Sequence, residues 1–120
     1  EELSLTLQDK TSPLNEKIKN LKLHINFDKI VVTQGFKGNT FFDSDQELHT
    51  PAFAVSVKDR VGAGDTFLAS IAGHTFLNEI DLNAIGLIGN LAAAQALKYQ
   101  ANKNILNYED LIKAIQHTLK

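Results

Sequence analysis

The sequence predicts an α/β domain, because segments with a strand pattern and segments with helical periodicity alternate along the chain. Strand patterns end near position 57, and from position 65 onward the apolar residues recur at helical spacing. The chain has 120 residues, 43% hydrophobic and 22% charged, which suits one small packed domain, or part of one, over residues 1–120. A net charge of −2 gives no electrostatic basis for binding nucleic acid or an anionic membrane surface.

The N-terminal segment contains an ambiguous stretch followed by a helix start. Leu3, Leu5 and Leu7 alternate with polar residues, and this alternation favours a strand with one buried face. Residues 11–13 (TSP) have the pattern of an N-cap followed by proline at the first helical position. The apolar spacing that follows predicts a helix that ends near Lys22.

Strands are predicted in the middle of the chain. Lys29–Thr33 is β-branched and apolar on both faces, which is typical of a central strand, including one in a parallel sheet. Residues 40–42 and 47–53 have the pattern of a hairpin around residues 43–45 (DSD). A further strand is predicted over residues 53–57.

The second half of the chain is predicted to be helical. One helix is opened by Asp65 or Thr66, a second follows Asp81 and covers residues 82–99, and a last one starts near Asn107. The second helix is apolar almost all round, so we expect it to be buried on several sides. The predicted buried faces are Phe67, Leu68, Ile71, Ala72 and Phe76 in the first helix and Leu111, Ile112, Ile115 and Leu119 in the last.

Residues 57–67 (VKDRVGAGDTF) contain the densest group of residues with chemical potential. Gly62 and Gly64 flank an alanine, which allows a tight turn with an accessible backbone. The helix that follows has N–H groups without intrahelical partners, and these donors favour a phosphate or a developing oxyanion. Asp65 at the helix start suits a group that must accept a proton. The spacing therefore suggests phosphoryl transfer to an alcohol; the alternative is a tight strand-to-helix turn that Asp65 merely caps.

Other common sites are excluded by the sequence. A dinucleotide-binding fingerprint requires a third glycine where Phe67 stands, and a P-loop requires a Gly-Lys pair, which the chain lacks. Cysteine is absent, so neither a thiol nucleophile nor a Cys-ligated zinc is expected. The four histidines are scattered without metal-ligand spacing.

Three segments resemble the PfkB/ribokinase family of ATP-dependent carbohydrate kinases. Residues 59–67 (DRVGAGDTF) are similar to its C-terminal signature, usually Asp-Thr-x-Gly-Ala-Gly-Asp. Residues 31–38 (VVTQGFKG) resemble the strand and glycine loop that approach the nucleotide, and residues 90–94 (NLAAA) resemble the helix that flanks the adenine. The resemblance implies a ribokinase-like fold, here the C-terminal portion of a three-layer α/β/α sandwich. Within the family, kinases of heptose phosphates and of keto-deoxy sugar acids look most similar.

The resemblance implies a role for each matching residue. Asp65 would be the catalytic base, and the backbone N–H groups of the Gly-Ala-Gly turn would form an anion hole. Asp59 matches a position that helps to bind a monovalent cation in some members. Mg²⁺ would arrive with ATP. The anion-hole residues are Gly62, Ala63 and Gly64; the nucleotide-binding residues are Thr33, Gly35 and Gly38 beside the triphosphate and ribose, and Asn90 near the adenine.

Two positions depart from the family pattern. Arg60 replaces the more usual threonine, and its guanidinium would either contact phosphate or pair with a surface carboxylate. Val61 has no side-chain oxygen, so a cation site would have to use backbone carbonyls.

The chain is shorter than members of the family, whose N-terminal half supplies the sugar-recognition residues and most of the central sheet. It begins with Glu1 and contains no Met, so we expect a C-terminal piece of a longer cytoplasmic kinase, inactive alone because catalysis requires both substrates to be positioned. The expected partners are ATP, a small sugar or sugar phosphate, the N-terminal half of the same polypeptide and a second copy in a homodimer. The alternatives are a non-catalytic nucleotide-binding or interaction module and a kinase of another alcohol, such as a nucleoside or a vitamin.

Overall fold

The structure, a computed structural model, describes residues 2–43, 46–53, 61–75, 80–98 and 105–120. The chain divides into two units, Glu1–Ile30 and Val31–Lys120. In chain order the elements are α1 (Glu2–Thr6), α2 (Leu14–His24), β1 (Lys29–Thr33), a 3₁₀ turn (Gly35–Lys37), β2 (Asn39–Asp43), β3 (Gln46–Thr50), α3 (Ala63–Thr75), α4 (Leu82–Ala96) and α5 (Tyr108–Thr118). This mixture of strands and helices confirms the predicted α/β class.

The first element, α1, is a helix, so the strand favoured by the alternating leucines is wrong. The Leu7 N–H donates to the Leu3 carbonyl at 3.1 Å, and the Thr6 hydroxyl donates to the Glu2 carbonyl at 3.0 Å. Leu3 and Leu7 are half-buried, whereas Leu5 is 60% exposed. An alternating run of three leucines also places its two outer members four residues apart, which is one face of a helix.

The second helix, α2, begins directly after Pro13, close to the predicted start, and ends at His24, slightly beyond the predicted end. The turn before it is organised by Asp9, whose carboxylate accepts hydrogen bonds from the backbone N–H groups of Thr11 and Ser12, each at 3.0 Å. Hydrogen bonds from the Ser12 side chain and backbone, followed by the one from Thr11, lower the pKa of Asp9 from 3.8 to about 2.

The sheet has three strands in the order β1-β2-β3. Strands β2 and β3 pair antiparallel, with Asn39 opposite Thr50 and Asp43 opposite Gln46, which confirms the predicted hairpin. Its two loop residues, 44 and 45, lie outside the described residues. Within the described sheet β1 is an outer strand with half-buried apolar side chains, so its predicted central position is wrong there. A β-branched run indicates that both faces of a strand are covered, but it does not say which strands flank it.

The chain leaves the sheet earlier than predicted. Strand β3 ends at Thr50, and residues 51–53 have no regular secondary structure. Pro51 has no N–H to donate to a ladder, which ends the strand. The strand predicted over residues 53–57 lies, apart from Phe53, outside the described residues.

Helix α3 buries a narrower face than predicted. Phe67 and Ile71 lie four residues apart and are 2% and 1% exposed. Leu68 is 58% exposed and Ala72 is also exposed, so their predicted burial is wrong, and Phe76 lies outside the described residues. The sequence pattern does not reveal which faces of a helix its neighbours cover.

Helices α3 and α4 meet at a close contact on Gly89. A Cβ atom at Gly89 would lie 2.6 Å from a Phe67 ring carbon and 2.7 Å from a methyl carbon of Ile71. Phe41 of β2 and Ile85 of α4 complete this cluster. Because α4 also contacts β2 and β3, the core lies between the sheet and these two helices.

Helix α4 follows Asp81, as predicted, although the Asp81 side chain caps no backbone N–H of the helix. The helix ends at Ala96, short of the predicted end. Its predicted burial is confirmed by the buried residues Ile85, Gly86, Gly89, Asn90, Leu91 and Ala92. In the part of the chain that the structure describes, no helix is long and apolar enough to span a bilayer.

The last helix, α5, starts where the sequence predicts. The side chain of the N-cap residue Asn107 accepts hydrogen bonds from the backbone N–H groups of Glu109 at 2.9 Å and Asp110 at 3.3 Å. Leu111 is 7% exposed and packs against α4. Leu119 is 70% exposed, so the predicted stripe is wrong at its last position, which is already the C-cap.

Candidate functional site

The turn before α3 leaves several backbone donors at one place. Gly62 has a φ of 82°, a left-handed conformation that glycine adopts without strain. Its carbonyl accepts the first helical hydrogen bond, from the Thr66 N–H at 2.9 Å, and a second one from the Thr66 hydroxyl at 2.8 Å. The N–H groups of Ala63, Gly64 and Asp65 precede this bond and therefore have no intrahelical acceptor. These donors and the positive end of the helix dipole favour an anion.

The predicted base lies beside these donors. Asp65 follows Gly64 in the first turn of α3, and its side chain is exposed. An exposed carboxylate at this place is accessible to a molecule that approaches the turn from solvent. Asp59, the predicted cation ligand, and Arg60 lie outside the described residues.

The loop after β1 is a short 3₁₀ turn fixed by its own backbone. The Gln34 N–H donates to the Gly38 carbonyl at 2.8 Å, and the Gly38 N–H donates to the Gly35 carbonyl at 3.0 Å. Gly38 has a φ of 95°, and a Cβ atom there would collide with the Thr50 carbonyl oxygen and lie 2.8 Å from the Ala52 nitrogen. The loop backbone therefore packs directly on the segment that follows β3.

Asn90 connects α4 to the same segment. It is 7% exposed, and its side-chain amide donates to the carbonyls of Thr50 at 3.1 Å and Pro51 at 2.7 Å. Both amide hydrogens are thus used inside the protein. Asn90 fixes the position of the chain that leaves β3, and this chain forms one wall of the cavity described next.

A cavity of ≈310 Å³ lies where the loop after β1, the first turn of α3 and the C-terminal half of α4 meet. Gly62 and Asp65 adjoin this cavity in sequence but do not line it. Most of the predicted site residues come together here although they are far apart in the chain. The predicted residues in the lining are Thr33, Gly35, Gly38, Ala63, Gly64 and Asn90.

The apolar part of the lining was largely missed by sequence reasoning. Phe36 lies inside the glycine loop, so an aromatic side chain between two glycines was the available signal. Phe53 gave no signal, because the sequence does not show that the chain after β3 folds back against α4. The apolar lining residues are Phe36, Ala52, Phe53, Ala63, Phe67, Ala93, Ala94 and Leu97.

A second cavity, of ≈560 Å³, lies between α4 and α5. Its lining is more polar than that of the first cavity and includes Lys98, Asp110 and His117. Phe53 and Ala94 line both cavities, so these two side chains separate them.

The sequence profile of pfkB family carbohydrate kinases matches residues 1–107, which is most of the chain. This chain belongs to the pfkB family. The resemblance carried by the three sequence segments is thereby confirmed at the level of the family.

Curated relatives of this pfkB-family chain are longer than the chain itself. Deoxyribokinase from Salmonella typhi is 44% identical over 55 residues, which are 46% of this chain and 18% of the relative. Bifunctional protein HldE from Shewanella baltica (strain OS185) is 35% identical over 103 residues, 85% of this chain and 21% of the relative. The chain thus spans about a fifth of the length of the curated relatives it matches.

Solved structures show the same fold. Phosphofructokinase-2 from Escherichia coli in complex with potassium superposes with a TM-score of 0.80 at 19% identity, over 99% of this chain and 39% of that one. An E. coli protein assigned as a ribokinase II, in complex with ATP and Mg²⁺, superposes with a TM-score of 0.78 at 18% identity, over 95% and 37% of the two chains. These similarities confirm the predicted ribokinase-like fold, of which the pfkB-family chain forms a part.

Proposed function

We propose that the protein containing this chain is an ATP-dependent kinase that phosphorylates a hydroxyl of a sugar or sugar phosphate. Residues 1–120 then form the C-terminal nucleotide-binding and catalytic portion of a ribokinase-like domain. Membership of the pfkB family supports the kinase reaction, and the deoxyribokinase relative supports a sugar acceptor. A cytoplasmic location, where ATP is available, is part of the proposal.

The observation that carries the proposal is the meeting of three segments at one cavity. The glycine loop supplies Gly35 and Gly38, α3 supplies Ala63 and Gly64, and α4 supplies Asn90. A Cβ atom at Gly35 or at Gly64 would meet no atom within 4 Å, so the backbone there is open to a bound molecule. Open backbone next to a helix N-terminus is suited to phosphate. We assign the triphosphate of ATP to the α3 turn at Gly64, with the ribose beside the glycine loop at Gly35.

The chemistry follows from the order of groups along the α3 turn. The Asp65 carboxylate takes the proton of the acceptor hydroxyl, and the oxygen of that hydroxyl forms a bond to the γ-phosphorus. The bond from this phosphorus to the bridging oxygen breaks, and ADP leaves with the electron pair. The N–H groups of Gly62, Ala63 and Gly64 donate to the negative charge that gathers on the transferring phosphoryl oxygens.

The proposal includes Mg²⁺ bound with ATP and a monovalent cation near Asp59. Within the described residues, no group of three or more His, Cys, Asp or Glu side chains is placed to hold a metal ion. We assign Mg²⁺ to the phosphate oxygens of ATP, since Mg²⁺ is commonly bound by substrate phosphates with one or two protein carboxylates. A monovalent cation near Asp59 remains a prediction from the family resemblance.

The test is a phosphorylation assay on the native polypeptide in which this chain occurs. Acceptors are deoxyribose, a heptose phosphate, a keto-deoxy sugar acid and, for comparison, a nucleoside, each with ATP and Mg²⁺. We expect turnover with one of the sugar acceptors. Asp65→Asn should lower kcat by about 100-fold or more, because a positioned general base typically contributes a factor of that size. Asp81→Asn, an exposed carboxylate at the start of α4, is the matched control and should leave kcat unchanged.

Other outcomes would replace the proposal. ATP binding in calorimetry without turnover on any alcohol would favour a non-catalytic nucleotide-binding module. Turnover on the nucleoside alone would favour a kinase of another alcohol. The 120-residue chain assayed alone should give no turnover, because the fold neighbours extend well beyond the region it matches; turnover that Asp65→Asn abolishes in this isolated chain would contradict that expectation.

A further inference from the structure

One aromatic side chain at the cavity is exposed without an evident structural reason. Phe36 is 87% exposed, whereas Phe41, Phe42 and Phe67 are at most 8% exposed. Among the phenylalanines that the structure describes, Phe36 is the only one whose side chain is exposed rather than buried or half-buried. It nevertheless lines the ≈310 Å³ cavity. An exposed ring at the mouth of a concave site is a candidate contact for a ligand.

The loop that carries Phe36 is held in place on both sides. Gln34 and Gly38 close it with a 2.8 Å hydrogen bond, and the Gln34 side-chain oxygen accepts a 2.9 Å hydrogen bond from the buried Thr40 hydroxyl. Gly38 packs against the backbone that follows β3. The ring is therefore presented by a fixed backbone, and only its own two torsions remain to be ordered when a ligand binds.

The surfaces around the ring suit a flat apolar ligand group. Phe53 and the α4 residues Ala93, Ala94 and Leu97 are apolar. Apart from Thr33 and Asn90, the described lining offers only backbone groups and apolar side chains, and both amide hydrogens of Asn90 are already used. A base in this part of the cavity would be recognised by contact with its faces more than by hydrogen bonds from side chains.

We infer that the Phe36 ring stacks on the base of the bound nucleotide and makes this site selective for purine over pyrimidine triphosphates. The inference rests on the proposed function, since it requires the triphosphate at the α3 turn. With the phosphates there, the base extends toward Phe36 and the C-terminal half of α4. A purine offers the larger ring system to the phenyl face, so it gains more from stacking than a pyrimidine does.

The experiment measures binding to the native polypeptide by calorimetry in the presence of Mg²⁺. The ligands are ATP, CTP and inorganic tripolyphosphate, which has the three linked phosphates but neither the ribose nor the base. Phe36→Ala should weaken ATP binding by about 5-fold to 100-fold, the range typical for loss of one base–aromatic contact. The same substitution should weaken CTP binding by a smaller factor. Its affinity for tripolyphosphate should stay within twofold of that of the unmodified protein. The Phe36→Trp variant, which keeps an aromatic ring at this position, should bind ATP at least as tightly as the unmodified protein.

The control is Ile105→Ala, because Ile105 is 94% exposed and lies outside the cavity lining. It should change none of the three affinities. Equal ATP affinity in Phe36→Ala and the unmodified protein would overturn the stacking role. Equal losses for ATP and tripolyphosphate would also overturn it, since they would show damage to the loop. If the unmodified protein bound neither ATP nor tripolyphosphate, the proposed function itself would fail. This result differs from a failure of the stacking role alone, in which the unmodified protein still binds ATP.

Discussion

Gly38 is a position of the site that accommodates only glycine. A Cβ atom there would collide with the Thr50 carbonyl, and the φ of 95° is unfavourable for any other residue. Gly38→Ala should lower the free energy of unfolding by about 2–5 kcal/mol, the sum of a left-handed backbone penalty and overpacking. Urea denaturation measures the change.

Gly35 is the matched control for this substitution. It has a φ of 60°, but a Cβ atom there would meet nothing within 4 Å. Gly35→Ala should therefore lower the free energy of unfolding only through the left-handed backbone penalty, by about 1–2 kcal/mol. Equal costs for the two substitutions would show that the contact with the chain after β3 is not close.

Asp9 gives a pH dependence that can be followed at one residue. Its pKa is lowered from 3.8 to about 2 by hydrogen bonds from Ser12 and Thr11. A depressed carboxylate pKa stabilises the folded state above the unfolded value, and the stabilisation is lost as the pH falls from 3.8 towards 2. A carboxyl NMR titration should show a midpoint near 2 for Asp9.

Two variants test whether Asp9 contributes to the loss of stability at low pH. Asp9→Asn should remove part of the loss of thermal stability between pH 5 and pH 2, because the ionisable group is gone. Glu16→Gln, on the exposed face of α2, should leave that loss as it is. A midpoint for Asp9 at the ordinary value of 3.8 would contradict the hydrogen-bonded turn.

At the scale of elements, two helices that each follow an Asp or Asn residue start differently. Asn107 caps α5 through hydrogen bonds to two backbone N–H groups, whereas the Asp81 side chain caps none in α4. Asn107→Ala should lower the free energy of unfolding by about 1 kcal/mol, the typical value of an N-cap. Asp81→Ala should lower the free energy of unfolding by clearly less than Asn107→Ala does. Thermal unfolding of the two variants measures the difference. A larger effect at Asp81 would mean that α4 is capped in solution.

Several elements could be predicted from the sequence because their signals are local. A cap residue, a hairpin turn and a glycine turn before a helix each fix the backbone within a few positions. For this reason the start of α5, the β2–β3 hairpin and the donors at the α3 turn were predictable. The cavity residues of α4 and of the glycine loop were found through family resemblance, since nothing local shows that they meet.

The errors concern contacts that the local pattern does not specify. The leucines of α1 satisfy both a strand period and a helical spacing, so only the fold decides between them. The half-buried side chains of β1 and the exposure of Leu68 depend on which neighbours cover a face. Phe53 lines the cavity because Asn90 holds the chain after β3, a contact between residues far apart in sequence.

At the scale of the whole molecule, the chain covers less than two fifths of the solved kinases it resembles. The start of α3 exposes apolar side chains next to the proposed base, with Val61 63% and Leu68 58% exposed. We propose that the N-terminal half of the same polypeptide covers this region. The chain alone should then associate with itself, in the simplest case as a homodimer.

Sedimentation velocity tests this association over a range of concentrations. The isolated chain should sediment faster as its concentration rises, and Leu68→Lys should weaken the effect by placing a charge on the apolar surface. Asn83→Lys, on the exposed side of α4, is the control and should sediment like the unmodified chain. A compact, stable monomer at all concentrations would contradict the proposal.

Phe53 and Ala94 line both cavities, so they offer a way to change which ATP analogue the proposed nucleotide site accepts. Phe53→Gly would join the ≈310 Å³ and ≈560 Å³ spaces into one chamber. An ATP analogue with a benzyl group on the amino nitrogen of the base should bind this variant at least about tenfold more tightly than the parent, by calorimetry. Under the proposed function, such a pair would allow the acceptor of this protein to be labelled in a cell extract that also contains other kinases.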